Sequence, residues 1–364
     1  MPPENESPRD ALAPLRTQID GLDDEIIQLL RRRAQIAHDV RDVKRETGAP
    51  VYAPAREQQI LAKLVEERLG DFPVEGALAV FREIISACRS LEEAPRVAVL
   101  GPRGTFCEVA ARHRWGECAV YLPYDGFPRI FDALYSGRAT YAVVPIENST
   151  AGTIREVLDL VAAGGQFTII GEEYVDVHHC LLTHVTLDEV TEVHSKDTAL
   201  EQCRAWLKLN VPAARLVPVA STALGAERAA EVANIAAIGT DLAGELYQVP
   251  VRARNIEDRK DNRTRFFALG PYMPHPTGRD KTSILMIVEH KPGALVTALS
   301  VLRDHNLNMT LIESRPSRTA PFEYSFFIDF EGHSREPHVQ AGLAALAEVT
   351  LQVHMLGSYP RAVR

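Results

Sequence analysis

Apolar positions in the first ninety residues recur with a helical period. They fall at Leu22, Ile26, Leu29, Ile36, Val40 and Val43, a stripe along one face. The pattern predicts a long helix from about Asp10 to Arg45, a second from about Ala55 to Leu69 and a third from about Val74 to Leu91. The breaks are GAP (48–50) and GDFP (70–73). At EEAPRVAVLGPRGTF the period changes. RVAVLG, TYAVVPIE and FTIIGEEYV read as short buried strands, with STAGTIREVLDLVAAGG read as a helix between them, and this α/β alternation lasts to about Phe267. GPYMPHPTGRDK (270–281) is a Pro/Gly-rich linker. Beyond it TSILMIVEH, NMTLIESRP, YSFFIDFEG and LQVHMLGSYP read as strands. PGALVTALSVLRDH and HVQAGLAALAEV read as helices, which gives the order βαββαβ.

Cations interrupt the first apolar stripe. Arg33 and Lys44 lie on or beside it, three helical turns apart, so both point the same way from anchor points about 16 Å apart along the axis. Snorkelling past the stripe into water accounts for either residue alone. Arg16 also lies near the seam but is rotated off their face. From the same helix it cannot reach the same spot, whereas from an antiparallel partner helix it can. Three helices alone bury little, so an intertwined dimer is a physically reasonable arrangement.

Composition narrows the classes. A length of 364 residues predicts two or three domains. The net charge is −9 with no long basic run, which disfavours nucleic acid as a partner. No segment approaches the roughly 20 uncharged apolar residues of a membrane span, and MPPENESPRD is too polar for a secretory signal. Cys88, Cys107, Cys118, Cys180 and Cys203 are scattered without a C-x-x-C pair. That argues for a reducing, cytoplasmic setting and against a disulfide framework or structural zinc. His178, His179 and His194 lack metal-ligand spacing, and neither G-x-G-x-x-G nor G-x-x-x-x-G-K-[ST] is present, so no metal and no cofactor are expected.

Four turns of the α/β segment place small hydroxylated residues where a strand gives way to a helix: GPRGTF (101–106), PIENSTAG (145–152), HSKDTAL (194–200) and STALGAE (221–227). Ordinary N-capping explains any one of them. Four that converged would make a polar pocket for a small polyanion.

L-R-x-x-I-x-x-L-D (15–23), Arg33, Lys44, the pair Arg56-Glu57 and FREIISACRSLE (81–92) together resemble the all-helical chorismate mutase family. The resemblance implies an intertwined three-helix domain over residues 1–94. Arg16 of the partner chain, Arg33 and Arg56 would hold the carboxylates of chorismate, Lys44 would also reach the ether oxygen, and Glu57 would accept from the ring hydroxyl. Cys88 and Glu92 would complete the site. The rearrangement to prephenate is pericyclic, so positioning and charge stabilisation suffice. Ala53 replaces a polar residue found in some relatives. Glu92 stands where a donor to the ether oxygen is wanted, and a carboxylate cannot donate. Glu92 is therefore expected to work protonated, with activity falling as pH rises.

DNRTRFFALG (261–270), with GPRGTF, VVPIENS and ESRP, resembles prephenate dehydratase. The implied fold is a two-lobed α/β domain, similar to a periplasmic binding protein, over residues 95–272. Its lobes would span about 96–172 plus 254–270, and about 176–250, with the site in the cleft. Thr264 would donate to the departing hydroxyl, with Arg265 and Phe266 completing the motif. Thr105, Glu147, Asn148, Ser149 and Thr150 would line one side and Ser195 and Gln202 the other, with a proton relay through Glu147 or water. Lys196-Asp197-Thr198 departs from the usual His-Pro-Gln, which puts that loop's contacts in question. Finally, KPGALVTAL (291–299) and LIESRP (311–316) resemble the ACT regulatory domain, here residues 280–364. L-phenylalanine would touch Gly293, Ala294, Leu295 and Val296, with Glu313, Ser314 and Arg315 opposite. The whole reads as a homodimeric bifunctional enzyme, with further assembly left open. Two rivals are a dehydratase preferring arogenate and a non-catalytic amino-acid sensor.

Overall fold

The computed structural model describes residues 8–48, 50, 52–67, 69–316 and 324–362. It opens with three helices, α1 (Pro8–Thr47), α2 (Pro54–Glu66) and α3 (Val74–Glu92). Gly48, at φ +70°, turns the chain just past α1, a conformation that glycine adopts without penalty. Pro54 opens α2, where its missing N–H costs nothing. The stripe Leu22, Ile26, Leu29, Ile36, Val40 and Val43 is exposed along α1.

The next segment forms two α/β lobes. The first holds β1 (Arg96–Leu100), α4 (Phe106–Trp115), β2 (Val120–Tyr124), α5 (Phe127–Tyr135), β3 (Tyr141–Asn148), β4 (Gly152–Thr153), α6 (Arg155–Ala162) and β5 (Thr168–Asp176). The second holds β6 (Cys180–Leu182), β7 (Glu192–Ser195), α7 (Asp197–Gln202), α8 (Arg204–Asn210), β8 (Arg215–Pro218), α9 (Thr222–Glu231), β9 (Ile235–Gly239), α10 (Asp241–Leu246) and β10 (Val251–Ala253). The chain then returns as β11 (Arg263–Gly270), which inserts antiparallel between β3 and β5. The sheets run β2-β1-β3-β11-β5 and β10-β6-β9-β7-β8. The run expected as one helix from about Ser149 becomes helical only at Arg155. Gly152 turns at φ +79° and Gly152–Thr153 pair with the end of β3 instead.

The C-terminal segment is β12 (Asp280–Val288), α11 (Ala294–Asp304), β13 (Met309–Pro316), β14 (Tyr324–Glu331), α12 (Pro337–Val349) and β15 (Gln352–Pro360), the expected βαββαβ. Its sheet order is β13-β14-β12-β15. Among the described residues no helix is long and apolar enough to cross a membrane, and no group of three or more His, Cys, Asp or Glu is placed to hold a metal.

The first lobe's sheet joins the three segments. On one face Val143, Phe266 and Ala268 pack under α4, and Tyr52, from just before α2, is buried in that layer beside Trp115 and Tyr141. On the other face Val144, Phe267 and Leu269 meet α5 and α6, and also Leu285, Phe327, Leu356 and Tyr359 of the C-terminal sheet. β15 lies so close to β5 that a Cβ at Gly357 would overlap the Ile169 carbonyl oxygen. Gly357→Ala is therefore expected to lower stability by about 1–3 kcal/mol, read as an earlier urea midpoint. An unchanged midpoint would mean the two segments do not pack this closely in solution.

Candidate active sites

Arg33, Lys44, Arg56, Glu57, Cys88 and Glu92 come together around one cavity of about 330 Å³, walled by Ile36, Val40, Ile60 and Ile85. Ala53 also lines it. The two cations three turns apart on α1 thus do converge. Arg33 Nη1 donates to the Ile84 carbonyl at 3.3 Å, and Lys44 Nζ donates to Glu92 Oε2 at 2.8 Å. Arg16 is exposed on α1, about 25 Å along the axis from Arg33, and cannot enter the cavity of its own chain. Glu57 faces Arg89, whose Nη1 donates to Oε1 at 2.6 Å. Burial pushes the Glu57 carboxyl above its usual range, and Arg89 opposes that rise.

The second candidate site is built by the pairing of β3 with β11, which sets Thr264 opposite Asn148. Asn148 Oδ1 accepts from the Thr150 N–H (3.0 Å), the Thr150 hydroxyl (2.6 Å) and the Ala151 N–H (2.9 Å). Those three donors fix the amide's orientation. Asn148 Nδ2 therefore donates to Thr264 Oγ1 and to Asn262 Oδ1, both at 2.8 Å. With a lone pair already occupied, the Thr264 hydroxyl is left to donate its own proton. Ser149 staples the same strands: its N–H donates to the Arg263 carbonyl, and its Oγ accepts from the Arg263 N–H, both at 2.9 Å. Asn262 was missed from the sequence although it stands two residues before Thr264; a buried amide at a strand entrance was the signal. Nearby the lobes touch. Thr240 Oγ1 donates to the Gly104 carbonyl at 2.7 Å, and Thr105 turns its hydroxyl onto Leu100 O.

Several expected contacts lie elsewhere. Side chains alternate across a strand, so Thr264 and Phe266 face one way and Arg265 the other. Phe266 is buried in the apolar layer under α4. Arg265, 4 % exposed, leaves the cleft altogether: it pairs with Glu172 Oε2 at 2.7 Å and with Asp329 Oδ2 of β14 at 2.6 Å. Lys281 shares Glu172 at 2.9 Å, and Ser283 and Tyr359 close the cluster. Although burial pushes the Glu172 carboxyl up, Arg265 and Lys281 together hold it below the ordinary carboxylate range. Glu147 pairs opposite Arg265, beside a bulge, on the far face of the sheet from Thr264, so no relay runs through it. Ser195 is fully buried and donates to the Ile238 carbonyl at 2.7 Å, so its hydroxyl binds a neighbouring strand and not the cleft. Gln202 Oε1 meets His179 Nε2 at 2.9 Å. Ser221 is the N-cap of α9, accepting from the Leu224 N–H, as the ordinary capping reading held.

In the C-terminal segment Gly293, at φ +85°, caps α11 beside a cavity of about 400 Å³ that Ala294, Leu295, Pro292, Tyr324 and Phe326 line. Val296 is exposed and is not in that lining. Ser314 pairs opposite Phe326, but Glu313 and Arg315 point to the other face of the sheet. There Arg315 grips Asp159 of α6 with two bonds of 2.8 and 2.5 Å, and Glu313 Oε2 accepts from the Thr153 hydroxyl at 3.1 Å. They anchor the segment to the first lobe; the cavity is left to the other residues.

Arg265→Met should leave Asp329 without its cation and Glu172 with Lys281 alone, and cost about 3–5 kcal/mol of stability, visible as a lowered unfolding temperature. A variant as stable as the parent yet inert toward ligand would return Arg265 to the cleft.

The chain matches three family descriptions: chorismate mutase type II over residues 15–93, prephenate dehydratase over 97–273 and ACT domain over 282–348. A bifunctional chorismate mutase/prephenate dehydratase of Aquifex aeolicus is 40 % identical, across 97 % of this chain and 98 % of that protein. A prephenate dehydratase from Arthrobacter aurescens, solved in complex with L-Phe, superposes with a TM-score of 0.67 at 33 % identity, across 73 % of this chain and 90 % of that one. The quorum-quenching acylase GqqA also has a TM-score of 0.67, at 31 % identity, across 73 % of this chain and 98 % of its own.

Proposed function

The chain belongs to the bifunctional chorismate mutase/prephenate dehydratase family, and we propose that it rearranges chorismate to prephenate and then converts prephenate to phenylpyruvate, carbon dioxide and water. Its enzyme classes are chorismate mutase and prephenate dehydratase, with an ACT domain behind them. We assign the three roles to residues 1–94, 95–272 and 280–364.

The convergence of Arg33, Lys44 and Arg56 on one apolar-walled cavity supports the first step. A dicarboxylate held there keeps its counter-charges away from water, where they act more strongly on the separating ether oxygen. Lys44 is the donor to that oxygen and Glu92 holds Lys44 in place. Arg16 reaches this cavity from a second copy of the chain, packed along the exposed apolar stripe of α1. In the second step aromatisation drives loss of carbon dioxide and hydroxide, and the departing oxygen needs a donor. The orientation of Asn148 that frees the Thr264 proton carries this assignment. L-phenylalanine binds in the cavity beside Gly293, Ala294 and Leu295, favouring a less active state by its differential affinity. The five unpaired cysteines fit a reducing cytoplasm.

Incubating the protein with chorismate is expected to yield prephenate and then phenylpyruvate, the second product suppressed by phenylalanine. Thr264→Ala should abolish phenylpyruvate formation and leave prephenate formation intact; equal loss of both would refute the role of Thr264. Arogenate supplied in place of prephenate tests the alternative substrate. A charge placed on the stripe, Ile26→Glu, is expected to yield a monomer without mutase activity but with dehydratase activity. Retained mutase activity in a monomer would dispose of the shared site.

A further inference from the structure

The guanidinium of Arg89 sits between two segments. It is 4 % exposed on α3. Nη1 donates to Glu57 Oε1 at 2.6 Å, on the wall of the mutase cavity, and Nη2 donates to the Trp115 carbonyl at 2.7 Å, at the end of α4 in the dehydratase domain. Its Cζ lies 5.2 Å from the ring centre of Tyr52. Ser86, one turn earlier on α3, donates to the same Trp115 carbonyl at 2.6 Å. The start of α2 needs such help. Its N-cap, Ala53, offers no side-chain acceptor, so the turn that carries Arg56 and Glu57 is held within the helix by backbone bonds to the Ala53 carbonyl alone. What else pins it comes from the neighbouring domain: Tyr52 is buried among Val97, Trp115 and Tyr141, and Arg89 ties Glu57 to Trp115.

We propose that Arg89 is a positioning residue for the mutase reaction, borrowing the dehydratase domain as its anchor and holding Glu57 as the acceptor for the substrate hydroxyl. The mutase site is thereby completed by the domain that performs the next step. This rests on the reading of Glu57 as a substrate contact. Only an ionised Glu57 accepts without donating. Burial pushes its carboxyl up, and Arg89 is the largest charge opposing that, followed by Arg114 on α4 and Lys44 on α1. Lys44 is engaged by Glu92 and Arg114 by Glu173. Arg33 on α1, Arg56 on α2 and Cys88 on α3 in the same cavity, and Tyr52, Arg82, His113, Glu172, Glu173 and Arg361 around the adjoining one, are the other charged and titratable groups facing it. Loss of Arg89 removes the nearest cation and lets Glu57 protonate at higher pH.

The test is the pH profile of mutase kcat/KM in the full-length protein for Arg89→Met and Arg89→Lys, with dehydratase activity on prephenate measured beside it. In Arg89→Met the acid limb is expected to move to higher pH by about one unit or more. Mutase kcat/KM should fall about tenfold or more at neutral pH and recover substantially in alkali, while dehydratase activity changes less than about twofold. Arg89→Lys keeps a charge but not the fork, so its shift should be smaller and in the same direction. Should Arg89→Met fail to fold, the lysine variant decides alone. An acid limb unmoved in a folded variant, or both activities lost in proportion with the profile unchanged, would reduce Arg89 to a strut between domains. Glu57→Leu, which keeps no acceptor, separates the two ideas. Full mutase activity in that variant refutes the role of Glu57, whereas a damaged Glu57→Leu beside an unaffected Arg89→Met refutes only the positioning role.

Discussion

A guanidinium removed from water needs well-made partners, and in this chain some of them come from across domain boundaries. On α3, Arg89 Nη1 donates to Glu57 and Nη2 to a carbonyl of α4. Arg265 on β11 is satisfied by Glu172 beside it and by Asp329 of the ACT sheet. Arg315 on β13 reaches back to Asp159 of α6. Desolvating such a group costs several kcal/mol, and only well-made partners repay it. A domain that moved away would leave a naked charge behind. These arginines therefore do more than add contact area: they tie the three domains to one another.

The two candidate sites differ as the reactions proposed for them do. A pericyclic rearrangement moves no proton, so a cavity with apolar walls and fixed cations is enough, and long side chains from distant helical turns supply it. Loss of a hydroxyl needs a donor aimed at one oxygen, and aim demands a rigid frame. Asn148 provides it. Its carbonyl oxygen is saturated by the following turn, and its amide is thereby committed to Thr264 and Asn262. Hydroxyl direction is set here by hydrogen-bond arithmetic, where the mutase cavity relies on charge and shape.

Much of this was legible in the sequence where the physics is one-dimensional. The helical period announced α1 to α3, and cations on an apolar stripe announced a cavity, because a face on a helix is a matter of counting. Thr-Arg-Phe was misread for an equally simple reason. A contiguous motif looks like one site, but on a strand its middle residue faces away from its neighbours, and Arg265 went to the opposite layer. Glu147 was misplaced by a bulge, which no local pattern declared. Arg89 gave no signal at all: it lies on α3 among residues that read as an ordinary amphipathic face, and its purpose appears only when α4 arrives beside it. Glu313 and Arg315 were drawn to the effector by the motif they belong to, while the alternation of β13 turned them to α6.

The same alternation gives the regulatory reading its physical basis. β14 carries Phe326 at the cavity proposed for the effector and, three residues on, Asp329 against Arg265. β11 carries Arg265 and, in the adjacent position, Thr264. From cavity to donor the path therefore crosses two strands and one ion pair. Contiguity alone is not coupling; an element with two discrete arrangements is also required. A buried ion cluster has that character, because partners are either met or lost and intermediate separations in a dry interior are costly. Glu172 already divides itself between Arg265 and Lys281, so a small slide of the ACT sheet redistributes that carboxylate and not merely its packing. On the proposed regulatory reading, an effector that binds one arrangement better would act on Thr264 through the residue next to it in the chain, with no contact in the cleft.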